Sequence, residues 1–137
     1  MSQGKVSVVI PVLNEERHLA EVVAAALAQD YAGELEVVLA IGPSVDRTEE
    51  IAAELAAADS RVRVVANPSG RTPTAMNAGL SVASGDYIVR CDGHALLPPE
   101  YVRTAVETLA RTGAVNVGGI MDAQGESDFQ KAVAWAM

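Results

Sequence analysis

The sequence predicts an α/β fold with a doubly wound, mostly parallel sheet, and three observations predict it. Short β-branched runs alternate with segments of helical periodicity along the whole chain. Half of the residues are hydrophobic but only 4% are aromatic, and the apolar content is mostly Ala, Val, Leu and Ile, which suits helices packed on a buried sheet. At 137 residues the chain has the size of one domain and can bury a single core.

The elements follow in order. Lys5 to Pro11 is a β-branched run closed by proline, and Asn14 then offers a helix cap, with Glu15 and Glu16 in the first turn. Leu19, Val22, Val23, Ala26 and Leu27 fall on one helix face that covers the sheet. Leu35 to Ile41 reads as a second strand, Gly42, Pro43 and Ser44 as a turn, and a helix starts near Thr48 with Asp46 as its cap and Ile51 and Leu55 inward. Val62 to Ala66 is the third strand. The loop from Asn67 to Arg71 leads to Thr72, which can cap, and Pro73, which suits the first helical position, with Ala75, Met76, Gly79 and Leu80 inward.

Tyr87 to Cys91 makes a fourth strand and runs into Asp92, Gly93 and His94. Pro98 and Pro99 open another helix, with Val102, Ala105, Val106 and Leu109 on its apolar face, and Ala114 to Val117 reads as a fifth strand. Repeated strand and helix units of this kind make right-handed βαβ crossovers, so the sheet is expected to be Rossmann-like. Gln130 to Met137 reads as a helix without a stop signal, so residues 1–137 are expected to be one domain that is incomplete at its C-terminus.

Charge narrows the function. With 18 acidic against 10 basic residues and a net charge of −8, the chain has no electrostatic footprint for nucleic acid or an anionic bilayer. Cys91 is the single cysteine, which excludes an internal disulfide and a thiolate zinc cluster and reads as a small buried hydrophobe in a reducing compartment. No apolar run reaches the roughly 18 residues of a membrane span. A cytoplasmic location is expected, with the full-length protein at the inner face of the cell membrane.

In a doubly wound sheet, ligands bind beyond the carboxyl ends of the strands, where strand order reverses. The candidate segments are therefore Pro11 to Glu15, Ile41 to Asp46, Asn67 to Arg71 and Asp92 to His94. Asp92 and His94, two residues apart around a glycine turn, could aim a carboxylate and an imidazole at one cation, against the simpler reading of an ordinary Asp-Gly turn. Two protein ligands would leave positions open for phosphate oxygens, as magnesium or manganese requires. Arg71, ahead of a helix N-terminus, could bind a phosphate or lie solvated. Asn77 could reach the ligand or simply pack.

These residues resemble the family-2 glycosyltransferases of the GT-A fold. Val6 to Glu15 is similar to that family's first strand and nucleotide loop, and Ser44-Val-Asp-Arg-Thr48 to its Ser-Thr-Asp-x-Thr turn. Asn67 to Gly79 resembles the segment leading to the donor site, and Gly85 to Asp92 the strand that ends in the metal motif. The wording around Gly42 and His94 looks most like the branch that makes bacterial exopolysaccharides of the succinoglycan type.

The resemblance implies transfer of a sugar from a nucleoside diphosphate sugar, with uridine as the expected base, to a saccharide or lipid-linked acceptor, with inversion. It implies that Asp92 and His94 form an Asp-x-His version of the metal motif for Mn2+ or Mg2+, with Asp92 also near the ribose. Pro11, Asn14 and Glu15 would line the nucleotide pocket, with Arg71 and Asn77 nearby. Two departures stand out: Ile41-Gly42 replaces the family's Asp-Asp at the base, and Met76 replaces an arginine. The family's general base lies in an acceptor-binding half that this chain is expected to lack, so donor binding without turnover is expected, and Asp122, Glu126 and Asp128 are not assigned that role.

A dinucleotide-dependent oxidoreductase or a sugar nucleotidyltransferase would need glycines after the first strand, and Pro11 to Glu16 contains none. The remaining alternative is a non-catalytic nucleotide- or partner-binding α/β module. Apolar surface uncovered in a shortened chain would also favour self-association, so a homo-oligomer is a further expected partner.

Overall fold

The computed structural model describes residues 4–118. Four strands, β1 (Val6–Val12), β2 (Leu35–Ile41), β3 (Val62–Ala66) and β4 (Tyr87–Arg90), form one sheet in the order β3-β2-β1-β4, and every pairing is parallel. The helices are α1 (Leu19–Leu27), α2 (Thr48–Ala58), α3 (Thr72–Val82) and α4 (Tyr101–Thr112). This is the doubly wound α/β arrangement expected from the sequence.

β1 and β2 are central, and their near-continuous apolar runs are buried on both faces, as parallel strands covered by helices require. One face presents Val6, Val8, Ile10 and Val12 to the apolar sides of α1, α2 and α4, through Leu19, Val22, Ala52, Val102 and Val106. The other face is covered by α3, whose Gly79 approaches so closely that a Cβ there would lie 2.4 Å from Val9 Cγ1. Glycine at this inward position sets how deeply α3 seats.

Buried polar groups lock the amino end of the sheet. Glu36 on β2 accepts from Ser7 Oγ at 2.5 Å and from Ser84 N–H at 2.7 Å, with Lys5 and Arg63 cations at 3.9 and 3.7 Å. Burial alone would raise its pKa, but the hydrogen bonds from Ser7 and Ser84 and the Lys5 charge hold it below the ordinary value of 4.5. The network ties the α3–β4 connection to both central strands.

Several boundaries differ from the sequence expectation. α1 begins at Leu19 after turns at residues 16–18, and Asn14 is not its cap. Thr72 and Pro73 lie within the first turn of α3, which Arg71 precedes, and no side chain caps its end. α4 starts at Tyr101 after a turn at Pro98, and Gly113 ends it with φ of 70°, a left-handed cap. Residues 114–117 form no strand: Val115 is wholly exposed, and the outer edge of β4 is left unpaired among the described residues. The carboxylates Asp122, Glu126 and Asp128 and the expected helix at Gln130 lie outside the described residues. Among the described residues no helix is long and apolar enough to cross a membrane.

Candidate functional site

The strand order sets the location of the site. The chain steps outward from β1 to β2 to β3 and then returns across the sheet to β4 on the other side of β1. The connection from β1 runs to β2 on one side, whereas the crossover from β3 arrives at β4 on the other, and this reversal opens a crevice between the ends of β1 and β4. A cleft of about 170 Å³ lies there, and its lining includes Pro11, Glu15, Arg71, Asp92, Gly93 and His94. A larger recess of about 420 Å³, bordered by Lys5, Tyr31, Glu34 and Arg61, sits at the amino ends of the strands and touches none of these loops.

The loops around the cleft are pinned to one another. Asn14, with φ of 53°, receives Ser44 Oγ at its own N–H at 3.0 Å, while its side-chain oxygen accepts from Val45 N–H at 2.9 Å. Glu15 N–H donates to Thr48 Oγ1 at 2.8 Å, and Glu16 N–H donates to Asp46 Oδ2 at 3.3 Å. Asp46 Oδ1 accepts in turn from Thr48 N–H at 2.9 Å and from the Thr48 hydroxyl. The hydrogen bonds from Thr48 lead the causes that hold the Asp46 carboxyl below the ordinary aspartate value of 3.8. Arg47, not Asp46, precedes the first residue of α2 and no side chain caps that end, so the cap expected at Asp46 is not formed; its carboxylate instead fastens the β1–α1 loop to the β2–α2 loop.

The third wall is the loop before α3. Gly70 takes φ of 70°, and buried Asn67 donates its side-chain amide to the Arg71 carbonyl at 3.0 Å. This leaves the exposed Arg71 side chain and the amino end of α3 at the cleft, a pairing of charge and free N–H groups suited to an anion.

The fourth wall follows β4. Asp92 is half exposed with Oδ1 3.6 Å from Arg90 Nη2, and His94 places Nδ1 3.1 Å from Glu15 Oε1. Among the described residues no three His, Cys, Asp or Glu side chains gather to hold a metal ion by themselves. One carboxylate and one imidazole beside an open cleft nevertheless suit a cation that keeps positions for other oxygen ligands, so the donor set fits magnesium or manganese. Neighbouring Cys91 is buried, and burial first, then the Asp92 charge, pushes its thiol up to about 12.

Of the residues singled out from the sequence, Pro11, Glu15, Arg71, Asp92 and His94 meet around one cleft. Asn14, between the lining residues Leu13 and Glu15, has its side-chain oxygen engaged by Val45 N–H of the neighbouring loop. Asn77 is exposed on α3, outside the lining. Sequence reasoning placed Ser44 and Thr48 in a family-like turn but not their partners Asn14 and Glu15, which lie about 30 residues earlier in the chain. Gly93 lies in a turn, as the sequence suggests, and it also allows a close approach, since a Cβ there would meet Glu15 Cγ at 2.9 Å and the Pro11 carbonyl at 3.2 Å.

Comparison with known proteins bears on this arrangement. Residues 7–136 match the family model Glycosyl transferase family 2. The succinoglycan biosynthesis protein ExoA of Rhizobium meliloti is 37% identical over 131 residues, covering 94% of this chain and 40% of that protein. A mannosyltransferase from Pyrobaculum calidifontis, solved with GDP-Man and Mn2+, is 28% identical with a TM-score of 0.72, over 80% of this chain and 33% of that one. Glucosyl-3-phosphoglycerate synthase from Mycobacterium tuberculosis, solved with Mn2+, UDP and glucosyl-3-phosphoglycerate, is 27% identical with a TM-score of 0.60, over 77% of this chain and 39% of that one. The chain thus spans about two fifths of the length of the Rhizobium relative.

Proposed function

The chain belongs to glycosyl transferase family 2, and we propose that it holds the donor part of that family's reaction, binding a nucleoside diphosphate sugar in the cleft between the ends of β1 and β4. The observation that carries this reading is the convergence of Asp92, His94, Arg71 and the amino end of α3 on one cleft at the switch point of the sheet.

Each group has a part. Arg71 and the first N–H groups of α3 bind phosphate oxygens, and Pro11 lines the nucleotide side. Asp92 and His94 hold a divalent cation, Mn2+ or Mg2+. Such a cation, when bound, neutralises the charge that develops on a departing diphosphate. The donor is a UDP-sugar, a reading supported by the mycobacterial neighbour that binds UDP and Mn2+. The sugar passes with inversion to a saccharide or lipid-linked acceptor in bacterial exopolysaccharide or cell-envelope synthesis, on the cytoplasmic side of the membrane. The likeness to a succinoglycan biosynthesis protein supports that setting.

Gly42 stands where the family carries a carboxylate toward the base, and a Cβ there would meet Leu13 Cδ1 at 2.9 Å and Gly70 Cα at 3.0 Å. The backbone of the neighbouring loop therefore fills the space a larger residue would take, and base recognition in this chain falls to other groups.

Calorimetric titration of UDP into the chain, with and without Mn2+ and repeated on Asp92→Ala, tests the reading. Metal-dependent binding that the substitution abolishes is the expected result. GDP binding in place of UDP would correct the base, and no nucleotide binding under either condition would favour a partner-binding module instead.

A further inference from the structure

We propose that Glu15 is a positioning residue for His94, whose carboxylate sets the ring so that Nδ1 carries the proton and Nε2 keeps the lone pair. The inference rests on the reading of His94 as a ligand to a divalent cation, and it gives Glu15 a task distinct from lining a nucleotide pocket.

Three observations converge. The Glu15 side chain is 17% exposed whereas that of His94 is 67% exposed, so the better-buried partner anchors a ring that otherwise stands in solvent. Glu15 is itself fixed along its backbone: its N–H donates to Thr48 Oγ1 at 2.8 Å, and its carbonyl accepts from the His18 and Leu19 N–H groups at 3.1 and 2.9 Å. Its stem then crosses Gly93, where a Cβ would come within 2.9 Å of Glu15 Cγ and 3.3 Å of Glu15 Cδ. Glycine between Asp92 and His94 therefore makes room for the carboxylate to reach the ring.

The chemistry follows from the contact at 3.1 Å between His94 Nδ1 and Glu15 Oε1. A carboxylate only accepts, so a neutral ring must donate from Nδ1, and its other nitrogen is left as a donor of electrons to a metal. Without such a partner the neutral ring in water favours the opposite tautomer, with the proton on Nε2. A fixed carboxylate thus selects the ligating tautomer and orients the ring before any cation arrives.

Two measurements test this. In the metal-free chain, long-range proton–nitrogen correlation of labelled histidine at about pH 8, above the ordinary histidine range, reads the tautomer directly. His94 is expected to carry its proton on Nδ1, and Glu15→Ala to move it to Nε2. In the second, Mn2+ is titrated in the presence of UDP and free Mn2+ is followed by electron paramagnetic resonance. Glu15→Ala and Glu15→Gln are expected to weaken Mn2+ binding by about 10- to 100-fold, with little further loss when His94→Ala is added. Gly93→Ala, which displaces the Glu15 stem and leaves both functional groups in place, is expected to act in the same direction.

An unchanged tautomer in Glu15→Ala would overturn the proposal. So would intact Mn2+ affinity in Glu15→Ala where His94→Ala lowers it, and that pattern would leave the metal reading standing. If His94→Ala itself leaves Mn2+ affinity unchanged, the metal reading fails and the purpose assigned to Glu15 fails with it.

Discussion

Thr48→Val removes one hydroxyl and keeps the side-chain shape, and its cost can be worked from the contacts. Thr48 is wholly buried, its hydroxyl accepts from Glu15 N–H at 2.8 Å, and the same hydroxyl donates to the Asp46 carboxylate. A typical hydrogen bond contributes about 0.5–1.5 kcal/mol and one to a charged group about 1.5–3 kcal/mol. Asp46 retains the Thr48 and Glu16 N–H groups, so its loss falls at the low end, and the sum is about 2–3 kcal/mol. For a chain of 137 residues this corresponds to a fall of roughly 10 °C in Tm, at about 4 °C per kcal/mol.

Urea unfolding followed by circular dichroism measures the loss, and Thr48→Ser separates its causes. Serine retains the hydroxyl and sheds a methyl group, so it should recover at least half of the stability lost in valine. A loss below about 0.5 kcal/mol for Thr48→Val, within the ordinary range of a surface change, would refute the view that this hydroxyl pins the two loops. Serine falling as far as valine would assign the effect to packing. Because Glu15 hangs from the same hydroxyl, Thr48→Val should also weaken metal-dependent nucleotide binding by more than Thr48→Ser does.

Other predictions follow from the same geometry. The folded state holds Glu36 below its ordinary value of 4.5, so its contribution to stability is present above that pH and is lost as pH falls through the lower folded value; Glu36→Gln should lower the urea midpoint at neutral pH and flatten its fall under acid. Cys91 is buried with its thiol raised to about 12, so a thiol reagent should label the folded chain slowly and the unfolded chain at once. Gly79→Ala would press a methyl group to 2.4 Å from Val9 Cγ1 and should cost about 1–3 kcal/mol through overpacking, less what alanine restores in helix propensity. Combining it with Val9→Ala should return part of that loss in a thermal melt, and full additivity of the two costs would refute the contact.

Much of the fold was legible because hydrophobic periodicity is local. The central strands show β-branched runs buried on both faces, and Leu19, Val22, Val23 and Ala26 carry helical spacing, so β1, β2 and α1 read directly. Ala114 to Val117 carries a similar β-branched signal and is no strand, because a strand must also bury its apolar side chains against the sheet and Val115 stands wholly exposed beside the open edge of β4. Asn14 failed for a related reason. Its composition suits a helix cap, yet its side chain found Val45 across a loop and took a left-handed backbone instead.

The sequence by itself determined which residue types stand at the strand ends, and hence the carboxylate, imidazole and guanidinium available to a diphosphate and its cation. Only the tertiary structure decided which of them meet. The return of the chain from β3 to the far side of β1 puts Glu15 against His94, 79 residues apart, and leaves Asn77 outside the cleft. That choice belongs to strand order, which depends on long-range packing of whole faces and is written in no single segment of the chain.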